Sequence, residues 1–160
     1  MKSYNKEPAI VIIPYGSWST FNLNFLSLDS VEWPCGRPAR LKNGTLRDLE
    51  KSDHIITFPR KPLFFFPRYK IKANVSVMIV EPDIIHKHFL IFAKIFSWRF
   101  YKILSKNQNL IKNIKNGEFF YYGSTFLSDL NEINITKKDM ASLIASAQNQ
   151  HPGHKLRHEV

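Results

Sequence analysis

Val75-Ser76-Val77-Met78-Ile79-Val80 is an almost unbroken apolar run, and Glu81-Pro82-Asp83 ends it. A short run rich in β-branched residues reads as a strand, and its lack of polar alternation says that both faces are covered. Strands of that kind sit inside a mostly parallel sheet, where each neighbour is reached through a crossover. The next residues supply one. After Asp83, Ile85, Phe89, Phe92 and Phe96 recur at helical spacing, while Lys87 and Lys94 fall away from that stripe.

Working outward, similar apolar runs at residues 9–13, 54–58, 100–104, 118–122 and 140–145 read as further strands. Between two of them, Ser105 and Gln108 have capping-box spacing, Leu110, Ile111 and Ile114 give an apolar face, and Gly117 is a natural stop. Residues 45–51 predict a short helix before the strand at 54. Alternation of strand and helix predicts an α/β layered domain over residues 1–130. Residues 131–139 are polar, charged and without a period, as in a linker. Residues 140–160 then supply one strand and the start of a helix, too little to bury a core, so a second domain is expected to continue past Val160.

The 160 residues carry 23 Lys and Arg against 13 Asp and Glu, a net charge of +10. Such a surface favours anionic partners: nucleic acid, acidic lipid headgroups or nucleotide phosphates. A lone Cys35 and no secretory pattern before residue 9 predict a cytoplasmic setting, in which the glycosylation-type triplets at Asn43, Asn74 and Asn134 carry no weight. The longest apolar stretch, 89–96, is broken by Lys94 and falls short of the roughly 20 residues that span a bilayer. Phe64, Phe65 and Phe66 beside Arg60, Lys61, Arg68 and Lys70 suit a peripheral contact with an anionic membrane surface; a partly buried aromatic segment with a basic rim is the plainer alternative.

Polar groups just after each apolar run are the candidates for chemistry, because open α/β sheets bind ligands at the carboxyl ends of their strands. Glu81 could serve there as a general base toward a hydroxyl; the plainer reading of the residues is that Glu81 and Asp83 simply favour the positive end of the following helix. A second candidate spans 148–157, where His151, His154, Lys155 and Arg157 crowd the start of a helix, with His158 just beyond. Backbone N–H groups near Pro152 and Gly153, with an Arg able to grip phosphate oxygens, would suit a pyrophosphate; a solvated basic turn is the alternative.

The histidines at 151, 154 and 158 share offsets with a zinc site, but Pro152 and Gly153 interrupt the helix and no thiol or carboxylate completes the set, so no metal is expected. His86 and His88, two apart on a helix, face different ways. No nucleophile motif, P-loop or dinucleotide fingerprint is present, which weakens hydrolase and kinase readings. Aromatic and basic residues interleaved over 60–72 keep a nucleic-acid-binding module as the second reading.

Tyr121-Tyr122-Gly123-Ser124-Thr125, the run KKDMASLIA over 137–145, and Pro152-Gly153-His154-Lys155-Leu156-Arg157-His158 resemble bacterial glycosyltransferases related to the family 10, α-1,3-fucosyltransferase-like enzymes. The likeness covers roughly residues 75–160 and is best over the final part. In that family an aromatic strand and a Gly-Ser/Thr turn end the first domain, and a strand followed by an Arg-bearing helix opens the donor-binding domain. The resemblance implies a GT-B architecture: a Rossmann-like acceptor-side domain, then the first strand and helix of a truncated donor-binding domain. It implies an inverting transfer of a sugar from a nucleotide sugar, GDP-fucose in the namesake enzymes, to a glycan or lipopolysaccharide-type acceptor, with no metal and no further cofactor. Glu81 would be the catalytic base, and Arg157, with His154 and Lys155, would bind the donor pyrophosphate. The chain has Glu81-Pro82 where those enzymes usually have Glu-Asn. The remaining donor motifs would lie beyond Val160, leaving residues 1–160 inactive by themselves.

Overall fold

A computed structural model describes residues 7–16, 23–68, 70–80, 82–121 and 155–156. The chain divides into two compact units, residues 1–123 and 124–160. In the second, Lys155 and Leu156 are helical with exposed side chains. The expected linker at 131–139 and strand at 140–145 lie outside the described residues.

The first unit is an α/β fold on a five-stranded parallel sheet, consistent with a Rossmann-like domain. Its strands are β1 (Ile10–Ile12), β2 (His54–Thr57), β3 (Asn74–Ile79), β4 (Ile103–Ser105) and β5 (Gly117–Phe119). Crossovers run through α1 (Lys61–Phe65) from β2 to β3, α2 (Asp83–Ile95) from β3 to β4, and α3 (Gln108–Lys112) from β4 to β5. Residues 13–53 join β1 to β2 without an α-helix among the described residues, using 3-10 turns at Leu23–Phe25, Ala39–Leu41 and Leu46–Asp48.

The strand order is β1-β2-β3-β4-β5. A doubly wound sheet reverses direction partway and opens a crevice at the reversal; these five strands step one way throughout. Parallel crossovers are almost always right-handed, and one hand combined with one direction of growth sends every helix to the same face. The packing agrees. Val11, Ile55, Val75, Val77, Ile79 and Ile103 from the strands join Leu63 and Phe64 of α1, Ala93 of α2 and Leu110 of α3 in a single buried cluster. Leu28, Leu41, Leu46 and Leu49 of the β1–β2 connection belong to it too. The register puts Ile10, Ile12, Ile56, Met78 and Leu104 on the opposite face.

Within this frame β3 is buried at five of its six positions, as a central strand should be. The long β1–β2 connection is anchored by Asp53, which is fully buried. Its carboxylate accepts from the amides of Ala9 at 2.9 Å and Glu50 at 2.7 Å and from the Arg40 guanidinium at 2.5 Å. Burial by itself would raise the Asp53 pKa, but these three donors outweigh it and hold the group below its ordinary value. The connection also guards a sheet edge: Ile12 and Glu32 exchange two backbone hydrogen bonds, 2.9 and 2.8 Å, along the outer side of β1.

Three local expectations need correction. The buried side of α2 is marked by His86 and Ala93, and Ile85 is exposed. The helix is kinked at His86, whose φ and ψ of −98° and 16° are non-helical, and Phe89, Phe92 and Phe96 sit at the flank of the buried side. From there Phe89 and Phe92 meet Phe64 of α1 at ring distances of 6.0 and 5.8 Å, and Phe92 and Phe96 meet Phe65 at 5.0 and 5.3 Å. Second, α3 is capped by Asn107, whose side-chain oxygen accepts from the Leu110 amide at 2.8 Å, because Ser105 is still in β4. Third, Gly117 does not end α3 but starts β5. A Cβ there would come within 2.9 Å of the Ile114 side chain and 3.0 Å of Ile111 Cα, so glycine lets the strand begin directly under the helix. Among the described residues no helix is long and apolar enough to cross a membrane.

Candidate functional site

At the carboxyl ends of β1 and β2 the chain turns through Pro14-Tyr15-Gly16 and Phe58-Pro59-Arg60. Gly16 makes the first turn with φ +80°, a value that L side chains rarely adopt. The Tyr15 and Phe58 rings meet edge to face at 4.9 Å. Around them lies a cleft of about 330 Å³, lined also by Pro14, Pro59, Arg60, Lys61 and Phe89. Two aromatic rings from the strand ends, a third from α2 and two cations thus share one concave surface. Apolar walls with a few polar groups are the usual make-up of a small-molecule site.

On the face opposite α1, α2 and α3, Ile10, Ile12, Ile56, Met78 and Leu104 floor a groove of about 450 Å³. Tyr15 and Phe58 line this groove as well as the cleft, so the ring pair is a shared wall between them. Phe120, just after β5, closes the far side. An elongated ligand could run from the apolar groove over the Tyr15 ring to the cationic rim.

After β3 and β4, the turns are joined by a short polar chain. The Asn107 side-chain amide donates to the Asp83 carboxylate at 2.6 Å, and the Asn107 backbone amide donates to the Ser105 hydroxyl at 3.1 Å. Asp83 therefore has a role beyond the positive end of α2: it ties the first turn of that helix to the cap of α3. Pro82, as N-cap residue, offers no side-chain hydrogen bond, so the Asn107 contact is the polar anchor observed at this helix start.

Glu81, the base expected from sequence, lies outside the described residues, as do His154 and Arg157 of the expected pyrophosphate set. Lys155 is described and exposed. The His151, His154 and His158 set is likewise outside them, and among the described residues no three His, Cys, Asp or Glu side chains gather in a way that could hold a metal ion. His86 is buried beside the Phe89 ring at 5.2 Å, whereas His88 is exposed, so the two do face different ways.

Tyr15, Phe58 and Phe89 were not singled out by sequence as lining residues. The rule applied to Glu81, that residues at the end of each apolar run are candidates, would have found the first two, since Tyr15 and Phe58 stand at or just past the ends of runs 9–13 and 54–58. Phe89 had no such signal, because it reaches the cleft from a helix. Comparison with protein-family models, curated proteins and solved structures gives no match.

Proposed function

We propose that the first unit is the acceptor-side domain of an inverting, GT-B glycosyltransferase that moves a sugar, fucose in the enzymes it resembles, from a nucleotide sugar to a glycan acceptor. The observation that carries this reading is the cleft at the carboxyl ends of β1 and β2, with Tyr15, Phe58 and Phe89 as its aromatic walls and Arg60 and Lys61 at its rim. Aromatic faces stack on the C–H faces of sugar rings, and cations at the rim suit an acidic acceptor or the phosphates of a donor.

In the proposed reaction the Glu81 carboxylate takes the proton of an acceptor hydroxyl. The oxygen forms a bond to the anomeric carbon from the face opposite the leaving group, and the bond to the nucleoside diphosphate breaks. Arg157, with His154 and Lys155, receives the negative charge that builds on the departing phosphate. A general base of this kind typically contributes about 10²–10⁴-fold in rate.

The test is a titration of residues 1–160, labelled for NMR, with neutral and acidic oligosaccharides. The proposal expects shifts concentrated at Tyr15, Gly16, Phe58 and Phe89, with loss of affinity in Tyr15→Ala. Binding of single-stranded or duplex nucleic acid at the same residues, with affinity falling steeply as salt is raised, would replace it with the nucleic-acid reading.

A further inference from the structure

From His54 to Gly117 the chain has 12 Lys and Arg and only two acidic residues, Glu81 and Asp83. The fold gathers part of that charge at one place. Arg99 donates to the Phe66 carbonyl at 2.5 Å and to the Leu63 carbonyl at 3.4 Å, and Arg68 donates to the same Leu63 carbonyl at 3.5 Å. Two guanidinium groups therefore share the carboxyl end of α1, whose partial negative charge favours them. Arg68 also lies over the Phe100 ring at 4.6 Å. Among the described residues no carboxylate pairs with either one, and Arg68 Nε is buried without a hydrogen-bond partner.

Beside this pair the surface is apolar. Phe65 and Phe66 of the α1 end are 48% and 54% exposed, Ile91 and Ile95 of α2 are 49% and 59% exposed, and Trp98 is 75% exposed. Beyond the kink, Ile91 and Ile95 are four apart and so lie on one outward stripe of α2, with Lys94 next to them. Phe65 continues the patch from α1 through its ring contacts with Phe92 and Phe96. Trp98 comes next in the 3-10 turn Ser97–Arg99, where Arg99 lies 5.5 Å from its ring centroid. A soluble helix ordinarily keeps its outward face polar; α2 exposes Ile84, Ile85, Ile91 and Ile95 among Lys87, His88 and Lys94.

We infer that the surface formed by Phe65, Phe66, Ile91, Ile95 and Trp98, with Arg68, Lys94 and Arg99 around it, docks on an anionic lipid membrane. The rings and isoleucines enter the headgroup and upper acyl region, α2 lies along the interface, and lipid phosphates neutralise the arginine pair and Lys94. Exposed aromatic and aliphatic side chains mixed with cations are what interfacial elements require. Charge complementarity selects the lipid: an anionic leaflet strengthens attachment by about fivefold for each basic residue near it. Desolvation, and then repulsion from Arg99, lower the Arg68 pKa to about 10, a strain that a bound phosphate would relieve. This inference stands independently of the glycosyltransferase reading.

The experiment is sedimentation of the 160-residue chain with vesicles of phosphatidylcholine alone or mixed with phosphatidylglycerol, at low and high salt. Binding is expected only to the anionic vesicles, weaker at high salt. It should fall about tenfold or more in Ile91→Asn/Ile95→Asn, since roughly two buried aliphatic side chains would be lost from the interface, and about fivefold in Lys94→Gln. All three positions are exposed, and circular dichroism would verify that the variants fold. Equal binding by wild type and the double variant would overturn the inference. So would failure to bind anionic vesicles while the chain self-associates through the same isoleucines, which would make the face a contact between copies.

Discussion

Asn107 reaches from the cap of α3 to the Asp83 carboxylate in the first turn of α2, 2.6 Å away. The same side chain accepts from the Leu110 amide at 2.8 Å, so one residue organises the turns after both β3 and β4. Replacing it with Ala removes the cap and the tie together and should cost about 1–2 kcal/mol. Asn107→Asp keeps the cap but turns a donor into a second carboxylate beside Asp83. Thermal unfolding should therefore rank wild type above Asn107→Asp at neutral pH, with the gap narrowing as salt is raised and the repulsion is screened.

Asp53 gives the fold an acid-sensitive point. Its pKa is lowered in the folded state, so its contribution is fully present above the ordinary carboxylate pKa of about 3.9 and is lost as pH falls through the lower, folded value. Asp53→Ala would leave the Arg40 cation and two backbone amides without their acceptor and should cost about 3–5 kcal/mol at neutral pH. Urea unfolding at several pH values checks both statements. Wild type should lose stability steeply in strong acid, while the variant should start low and change less.

Phe64 and Phe66 are nearby aromatics with opposite consequences. Phe64 is 1% exposed and meets Phe89, Phe92 and Phe100, so Phe64→Ala should cost about 3–5 kcal/mol. Phe66 is 54% exposed, and Phe66→Ala should change stability by about 0.5 kcal/mol or less. Chemical denaturation of the two variants in parallel would reveal the contrast.

In any form of the protein that performs glycosyl transfer, Glu81→Gln should lower kcat by about 10²–10⁴-fold with little change in acceptor KM. Tyr15→Ala should instead raise the acceptor KM. A steady-state assay with varied acceptor separates the two roles.

Much of the scaffold was legible because it depends on local pattern. The continuous run ending in Val80 marked a strand covered on both faces, and the recurring Phe residues marked α2. What failed were details settled by tertiary packing. The Phe stripe pointed to the wrong side of α2 as its most buried side, because the phenylalanines answer to Phe64 and Phe65 on another helix and the kink at His86 breaks the period. Ser105 has a capping residue's chemistry but is claimed by β4, which passes the cap to Asn107. In the β1–β2 connection the short helix expected at 45–51 is only the 3-10 turn Leu46–Asp48, and the other described turns are three residues each, too short for a period to show; the connection is tied down instead by a contact distant in sequence, Asp53 to the Ala9 amide. The one-way strand order, which leaves one face to an apolar groove, is a property of pairing between strands and has no local signature.

The most direct check on the central claim is a comparison, by NMR on residues 1–160, of oligosaccharide and oligonucleotide titrations at matched salt. The account predicts oligosaccharide-induced shifts at Tyr15, Gly16, Phe58 and Phe89 that persist at high salt and vanish in Tyr15→Ala. Absence of those shifts, with the same amides responding only to nucleic acid at low salt, would contradict it.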